Sequence, residues 1–204
     1  DAFTPFLSAV ISKMGIYAFI VLISSLFGNF YFKLMSAPFF DSTIIGYVIA
    51  WLGVITSIVA TFKAIVQEDI KKLLAYSSIA QIGYIIVALG VGTGTAVGGA
   101  IYHTVIHTII KALLFITVAG IIHRTGKTKF HELGRLIHKM PLSFMAVLIG
   151  IIGLAGMPPL AGFSSKWLIY SSLVETKWII ILVGTIISST AAFLYCYKLI
   201  YGIF

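Results

Sequence analysis

Long apolar runs fill this chain, and that one feature leaves few folds open to it. Six of them are long enough to cross a bilayer: 4–30, 44–66, 73–91, 96–122, 142–173 and 178–201. A hydrocarbon core of about 30 Å takes roughly 20 residues of helix. Lipid offers no partner for backbone N–H and C=O groups, so the runs are predicted to be helices. The expected class is all-α: a polytopic transmembrane helix bundle of about six spans, forming a single transmembrane domain over residues 1–204. Only 10% of the residues are charged and 60% are hydrophobic. A soluble domain carries about a quarter charged residues, so an ordinary soluble globule is excluded. In a soluble protein the formal charge of +8 would point to nucleic acid. Here the basic residues crowd into a few short loops, so the expected partner is the lipid bilayer and not nucleic acid.

Those loops orient the chain. With alternating sides, one side receives Lys71, Lys72, Arg124, Lys127, Lys129, Arg135 and Lys139, and the other Lys33 and Lys177. The richer side is expected to face the cytoplasm, which places an integral protein in the cell membrane with Asp1 and Phe204 on the cytoplasmic side. Apolar sequence follows Asp1 almost at once, without the pattern of a cleavable secretory signal. A chain opening on Asp1 is expected to be a fragment, or half, of a larger unit.

The run 142–173 is too long for one straight crossing, at about 48 Å for a rise of about 1.5 Å per residue. Gly156-Met157-Pro158-Pro159-Leu160-Ala161-Gly162 accounts for the excess. Two prolines remove two backbone donors, and the flanking glycines loosen the chain. The expectation is one discontinuous helix broken at Pro158-Pro159, with halves near 142–157 and 163–173. The plainer alternative is a loop between two short helices. Unwound backbone at membrane depth survives only when buried in protein or lining a wet cavity, and in transporters broken helices mark the ion path.

Five lysines and histidines fall inside the runs away from their ends: Lys13, His103, His107, Lys111 and Lys166. A charge at the bilayer centre costs about 2.5–3.5 kcal/mol on insertion scales, and such residues usually face a bundle interior or water. His103, His107 and Lys111 recur every four residues, so they stack on one helix face. Their rungs lie about 6 Å apart at helical rise, within reach of one or two bridging waters. Histidine takes a proton on one nitrogen and releases one from the other. Thr104 and Thr108 border this face and are expected to help hold water. The bland reading of a lone helix histidine is a hydrogen-bonded packing residue. Lys13 and Lys166 have snorkelling as their alternative, and burial is preferred for both. For Lys63 and Lys198, near span ends, snorkelling is preferred. Lys71 and Lys72, beside Glu68 and Asp69, read equally as a solvated interfacial cluster or a proton entry. His103 and His107 lie on the same side of one helix and cannot bracket a haem. The spans supply no Asp, Glu or second Cys for a metal, and Cys196 reads as a small packing residue. No cofactor, metal, redox or hydrolytic site is expected. Gly98, Gly99 and Ala100 suggest close approach of a neighbouring helix.

Several of these residues lie in recognisable motifs. Gln67-Glu68-Asp69-Ile70-Lys71-Lys72-Leu73-Leu74-Ala75-Tyr76-Ser77-Ser78, followed by Gln81-Ile82-Gly83-Tyr84, resembles a signature of the antiporter-like membrane subunits. These belong to proton-translocating NADH:quinone oxidoreductase, Mrp-type cation/proton antiporters and membrane-bound hydrogenases. His103-x3-His107-x3-Lys111-Ala-Leu-Leu-Phe is similar to the family's second-half channel helix. Met157-Pro158-Pro159-Leu160-Ala161-Gly162-Phe163-Ser164-Ser165-Lys166 is similar to its discontinuous helix, and Asp1-Ala2-Phe3-Thr4-Pro5 with Lys13-Met14-Gly15-x-Tyr17 to the helix carrying a bridging lysine. The resemblance implies one inverted repeat of the antiporter-like fold over the last five spans, plus one preceding helix. It gives Lys13 the link between half-channels, Lys111 with His103 and His107 the central relay, Lys166 the outer position and Lys71 a place near the cytoplasmic entry. It implies other membrane subunits as partners, including a chain or segment supplying the first repeat. That repeat's membrane glutamate and partner lysine have no counterpart here.

The expected function is proton translocation through a Lys/His relay, with Na⁺ exchange as a variant, in a redox-driven pump or antiporter. A charge shift at Lys13 would alter affinity at Lys111 and then at Lys166. The competing expectation is a scaffold subunit of the same kind of complex that translocates nothing. A third, a small independent transporter, requires stability without partners.

Overall fold

A computed structural model describes residues 13–18, 21 and 42–204. The run predicted over 4–30 lies largely outside them; within it, residues 13–18 are helical. Six α-helices follow: α1 (Ser42–Val66), α2 (Ile70–Val91), α3 (Gly94–Thr125), α4 (Pro141–Ala155), α5 (Ala161–Glu175) and α6 (Ile179–Ile203), with a 3₁₀ turn at Phe130–Glu132. Among the described residues, α1, α2, α3 and α6 are long and apolar enough to cross a membrane, and α4 is a shorter apolar helix.

Local chemistry sets the boundaries. The Asp69 carboxylate accepts from the Lys71 and Lys72 N–H groups at 2.8 and 3.2 Å, so α2 starts ahead of its predicted start and both lysines fall in its first turn. Thr93 caps α3 through the Ala96 N–H at 3.2 Å. Gly126, at φ 71°, closes α3 in the left-handed conformation that glycine adopts freely. Met157 to Leu160 separate α4 from α5 after Gly156 turns at φ 78°.

Helices α1 and α2 pack backbone to backbone. A Cβ on Gly53 would stand 2.7 Å from the Gly83 carbonyl oxygen, and one on Gly83 would stand 2.7 Å from that of Gly53. Gly46 and Gly90 repeat this contact two turns away. Small residues let helices meet where lipid supplies no hydrophobic drive. Gly99 plays that part between α3 and α5, where its Cβ would meet Leu168 at 3.1 Å, whereas Gly98 faces open space.

The connections sort into two ends. Ile70 N–H donates to the Thr128 carbonyl and Phe130 N–H to that of Glu68, both at 3.1 Å. This ties the α3–α4 connection to the α1–α2 connection. Phe144 at the start of α4 meets Phe204 after α6, ring centroids 5.2 Å apart. At the opposite end, Thr95 donates to Glu175 at 3.3 Å, joining the start of α3 to the end of α5. The Lys198 amine donates to the Ile65 carbonyl in the last turn of α1 at 2.8 Å and lies over Phe130.

Two apolar cores result. One gathers Ile70, Leu73 and Leu74 of α2 with Leu114 and Val118 of α3 and Tyr195 to Ile203 of α6. The other gathers Tyr84 to Val91 of α2 with Ala96 and Ala100 of α3, Ile169 of α5 and Ile181 of α6. Between them, along each long helix, lie the buried polar residues: Ser57 and Thr61; Ser77, Ser78 and Gln81; His103, His107 and Lys111; Thr185 and Ser188. The bundle is thus a polar layer between two apolar cores. Outside, large apolar side chains such as Leu142, Ile109, Ile116 and Ile180 are exposed, a surface suited to lipid or neighbouring helices and not to water.

Candidate functional site: a buried column of lysine and histidine

Every expected intramembrane ionisable residue is buried: Lys13 at 6% exposure, His103 at 4%, His107 at 1%, Lys111 at 0% and Lys166 at 3%. Lys71 stands apart from them, half-buried in the first turn of α2.

The four-residue spacing on α3 produces a regular stack. The His103 and His107 rings lie 6.1 Å apart, nearly parallel at 3°. Lys111 Nζ donates to the Leu74 carbonyl at 2.8 Å and to the Ser77 hydroxyl, and lies over the Phe115 ring. Both ring nitrogens of His107 are buried without a hydrogen-bond partner among the described residues. A buried imidazole in that position calls for water as its partner. The protons of the Thr104 and Thr108 hydroxyls go to their own helix. Their hydroxyls donate to the Ala100 and Thr104 carbonyls at 2.8 Å each, because a helical threonine satisfies itself most simply on the preceding turn.

Helix α2 supplies partners that the sequence left without roles. Ser77, Gln81 and Tyr84 fall on one helical face at intervals of four and three, and all three are buried. Gln81 Oε1 lies 3.0 Å from His103 Nε2, and Ser165 Oγ of α5 lies 2.9 Å from Nδ1. Tyr84 stands edge-on to His103 at 6.2 Å and donates to Ser188 at 3.0 Å. The α2 spacing was a visible signal for these residues; nothing in the sequence singled out Ser188 or Ser189.

Lys166, on α5, turns its side chain to the end of α4. Its ammonium donates to the Ala155 and Leu154 carbonyls at 2.9 and 3.3 Å and to Ser189 Oγ at 3.0 Å, and lies 5.3 Å from the centroid of the Tyr84 ring. The carbonyl end of a helix carries partial negative charge, which suits an ammonium. A cavity of about 180 Å³ opens beside it, lined by Tyr170, Ser189, Thr190 and the rings of Phe163, Trp167 and Phe193. Cys196 is buried against the Ile151 carbonyl, the packing place expected of it. Among the described residues no group of three His, Cys, Asp or Glu has metal-holding geometry.

The chain as a whole is similar to known membrane proteins. The family described as NADH:quinone oxidoreductase/Mrp antiporter, transmembrane, matches residues 2–193. NADH-quinone oxidoreductase subunit N of Desulforudis audaxviator is 32% identical over 196 residues, 96% of this chain and 37% of that protein. Formate hydrogenlyase subunit 3 of Escherichia coli is 32% identical over 82% of this chain and 28% of its own length. One Na⁺/H⁺ antiporter subunit of Alkalihalophilus pseudofirmus is 32% identical over 74% of this chain and 22% of its own length. A chain of the membrane-bound sulfane sulfur reductase, an archaeal respiratory membrane complex, superposes with a TM-score of 0.80 at 25% identity, over 98% of this chain and 39% of that one. A chain of the Mrp complex from Dietzia gives 0.71 at 26% identity, over 76% and 30%. This chain therefore spans well under half the length of each relative. The family match and the four long apolar helices make it an integral membrane protein. By the match over residues 2–193, the chain belongs to the NADH:quinone oxidoreductase/Mrp antiporter family of transmembrane subunits.

Proposed function

We propose that this chain carries protons along the column Lys13, Lys111, His107, His103 and Lys166, as a membrane subunit of a larger pump or antiporter. The observation that carries the reading is the stack itself: two histidines and a lysine, all at 4% exposure or less, aligned within the polar layer. Burial of cationic side chains at that depth is costly, and exchange of protons through water and side chains gives it a use. Lys71, at the tied end of the bundle, is the entry-side member. Relatives named as NADH-quinone oxidoreductase and formate hydrogenlyase subunits favour a redox-driven complex. The relative named for Na⁺/H⁺ antiport gives the same column a second coupling ion.

The architecture fits this reading. We take α4 and α5 as two halves of one discontinuous crossing: α4 starts beside Phe204 at the tied end, and α5 finishes beside Thr95 at the other. With the run over 4–30 the chain then makes six spans in one domain, a second inverted repeat with one preceding helix. The tied end holds Lys71, Lys72 and the basic residues of 124–139, so it faces the cytoplasm. Another chain or segment supplies the first repeat and its carboxylate.

The test replaces Lys111 or Lys166 with Ala in the assembled complex and measures proton pumping. Each substitution is expected to lower it by about 100-fold, the scale of a proton-transfer group. Undiminished pumping in both, with the complex intact, overturns the reading and leaves the scaffold role in its place.

A further inference from the structure

His103 is held at both nitrogens by groups that both donate and accept. Ser165 Oγ lies 2.9 Å from Nδ1 and donates to the Gly162 carbonyl at 3.0 Å. Gln81 Oε1 lies 3.0 Å from Nε2, and Gln81 Nε2 donates to the Tyr195 hydroxyl at 3.4 Å. Ser165, Gln81 and Tyr195 are buried at 0%, 1% and 1% exposure, so protein groups alone satisfy this imidazole.

A hydroxyl has one proton to give. While Ser165 gives it to Gly162, the bond between Ser165 and His103 needs an N–H at Nδ1. Gln81 Oε1 only accepts, so it needs an N–H at Nε2. A ring donating from both nitrogens is the imidazolium. The neutral ring has one N–H, so one neighbour must turn. Either the Ser165 proton swings from Gly162 onto Nδ1, or the Gln81 amide turns over and donates to Nε2. Neither turn moves backbone. The Gly162 carbonyl keeps the bond of its own helical turn, and the Tyr195 hydroxyl accepts from the amide nitrogen or donates to the amide oxygen.

We propose that Ser165 and Gln81 are positioning residues that set which nitrogen of His103 carries the proton. The proposal rests on the translocation reading and deepens it. The titratable groups facing His103 are Tyr84 from α2, His107 from its own helix, Lys166 from α5 and, behind Gln81, Tyr195 from α6. None of these holds a His103 nitrogen directly; that is left to the hydroxyl and the amide. Ser165 precedes Lys166 in sequence, so the turn of one hydroxyl links the state of His103 to the first turn of the helix bearing the outer lysine.

The test uses the full chain in its assembled complex with ¹⁵N-histidine, assigning His103 by its absence in His103→Phe. Ser165→Ala leaves Nδ1 without a partner and is expected to fix the ring as Nε2–H. Gln81→Met, close in volume, is expected to fix it as Nδ1–H, and it carries the test if Ser165→Ala does not assemble. Transport should fall about tenfold in both, the worth of one hydrogen bond to an ionised group, and Ser165→Thr should restore shift and transport together. Unchanged His103 nitrogen shifts in Ser165→Ala and Gln81→Met overturn the proposal, whatever transport does. Changed shifts with full transport overturn it too, provided Lys111→Ala abolishes transport alongside. Full transport in all three variants overturns the translocation reading instead.

Discussion

Lys166 Nζ lies 2.9 Å from the carbonyl oxygen of Ala155, and two residues without an N–H explain why. In a continuous helix the amides of residues 158 and 159 would bond the carbonyls of Leu154 and Ala155. Both positions are proline, so neither donor exists. The Lys166 ammonium supplies both bonds, with the Leu154 oxygen at 3.3 Å. One side chain closes the end of α4 and places a titratable amine in the polar layer.

Removing the two buried lysines therefore has unequal effects on stability. Lys166→Met strands the carbonyls of Leu154 and Ala155 and is expected to cost about 1–3 kcal/mol. Lys111→Met strands nothing, because the Leu74 carbonyl also accepts from Ser77 and Ser78 at 2.9 and 3.1 Å. Replacing a buried charge by an apolar group of similar volume is often neutral or stabilising. Thermal melts of the solubilised complex should show a lower midpoint for the first variant and an unchanged or higher one for the second.

Gly156 is required twice over. Its φ of 78° suits glycine, and an added Cβ would come within 2.8 Å of Lys166 Cδ. Gly156→Ala is expected to cost about 1–3 kcal/mol in backbone strain and to displace the amine, so stability and transport fall together. Gly126 has a similar φ of 71° but open space around its Cβ position. Gly126→Ala should lower the melting midpoint and leave transport alone.

The contact between α1 and α2 makes a prediction free of the column. Gly53→Ala drives a methyl against the Gly83 carbonyl, 2.7 Å away, an overpacking expected to cost about 1–3 kcal/mol. Gly98, mid-helix with open space, should behave oppositely: Gly98→Ala is expected to gain about 0.5–1 kcal/mol. Melting midpoints of the two variants on opposite sides of the wild type would confirm the distinction.

Much of the fold was legible because the physics is local. Length and apolarity placed α1, α2, α3 and α6, and proline chemistry placed the interruption between α4 and α5. The spacing of His103, His107 and Lys111 already put them on one face, since helical period alone decides that. The partners were harder to read, because they depend on how each helix is rotated. Thr104 and Thr108 border the column in spacing, and their hydroxyls donate to their own backbone. Lys198 lies near a span end, but only the packing of α6 on α1 shows that its amine meets the Ile65 carbonyl. Ser188 and Ser189 reach Tyr84 and Lys166 only through the packing of α6, which no spacing within α6 reveals.

Proton flux through the Lys111→Met variant, in sealed vesicles bearing the assembled complex, tests the central claim most directly. Lys111 sits at 0% exposure and, among the described residues, bonds Leu74 and Ser77 of α2, so its removal is expected to leave the bundle standing. Flux reduced by about 100-fold, with assembly and melting midpoint retained, is the expected result. Flux at the wild-type rate in the same intact complex would contradict a proton path through the column.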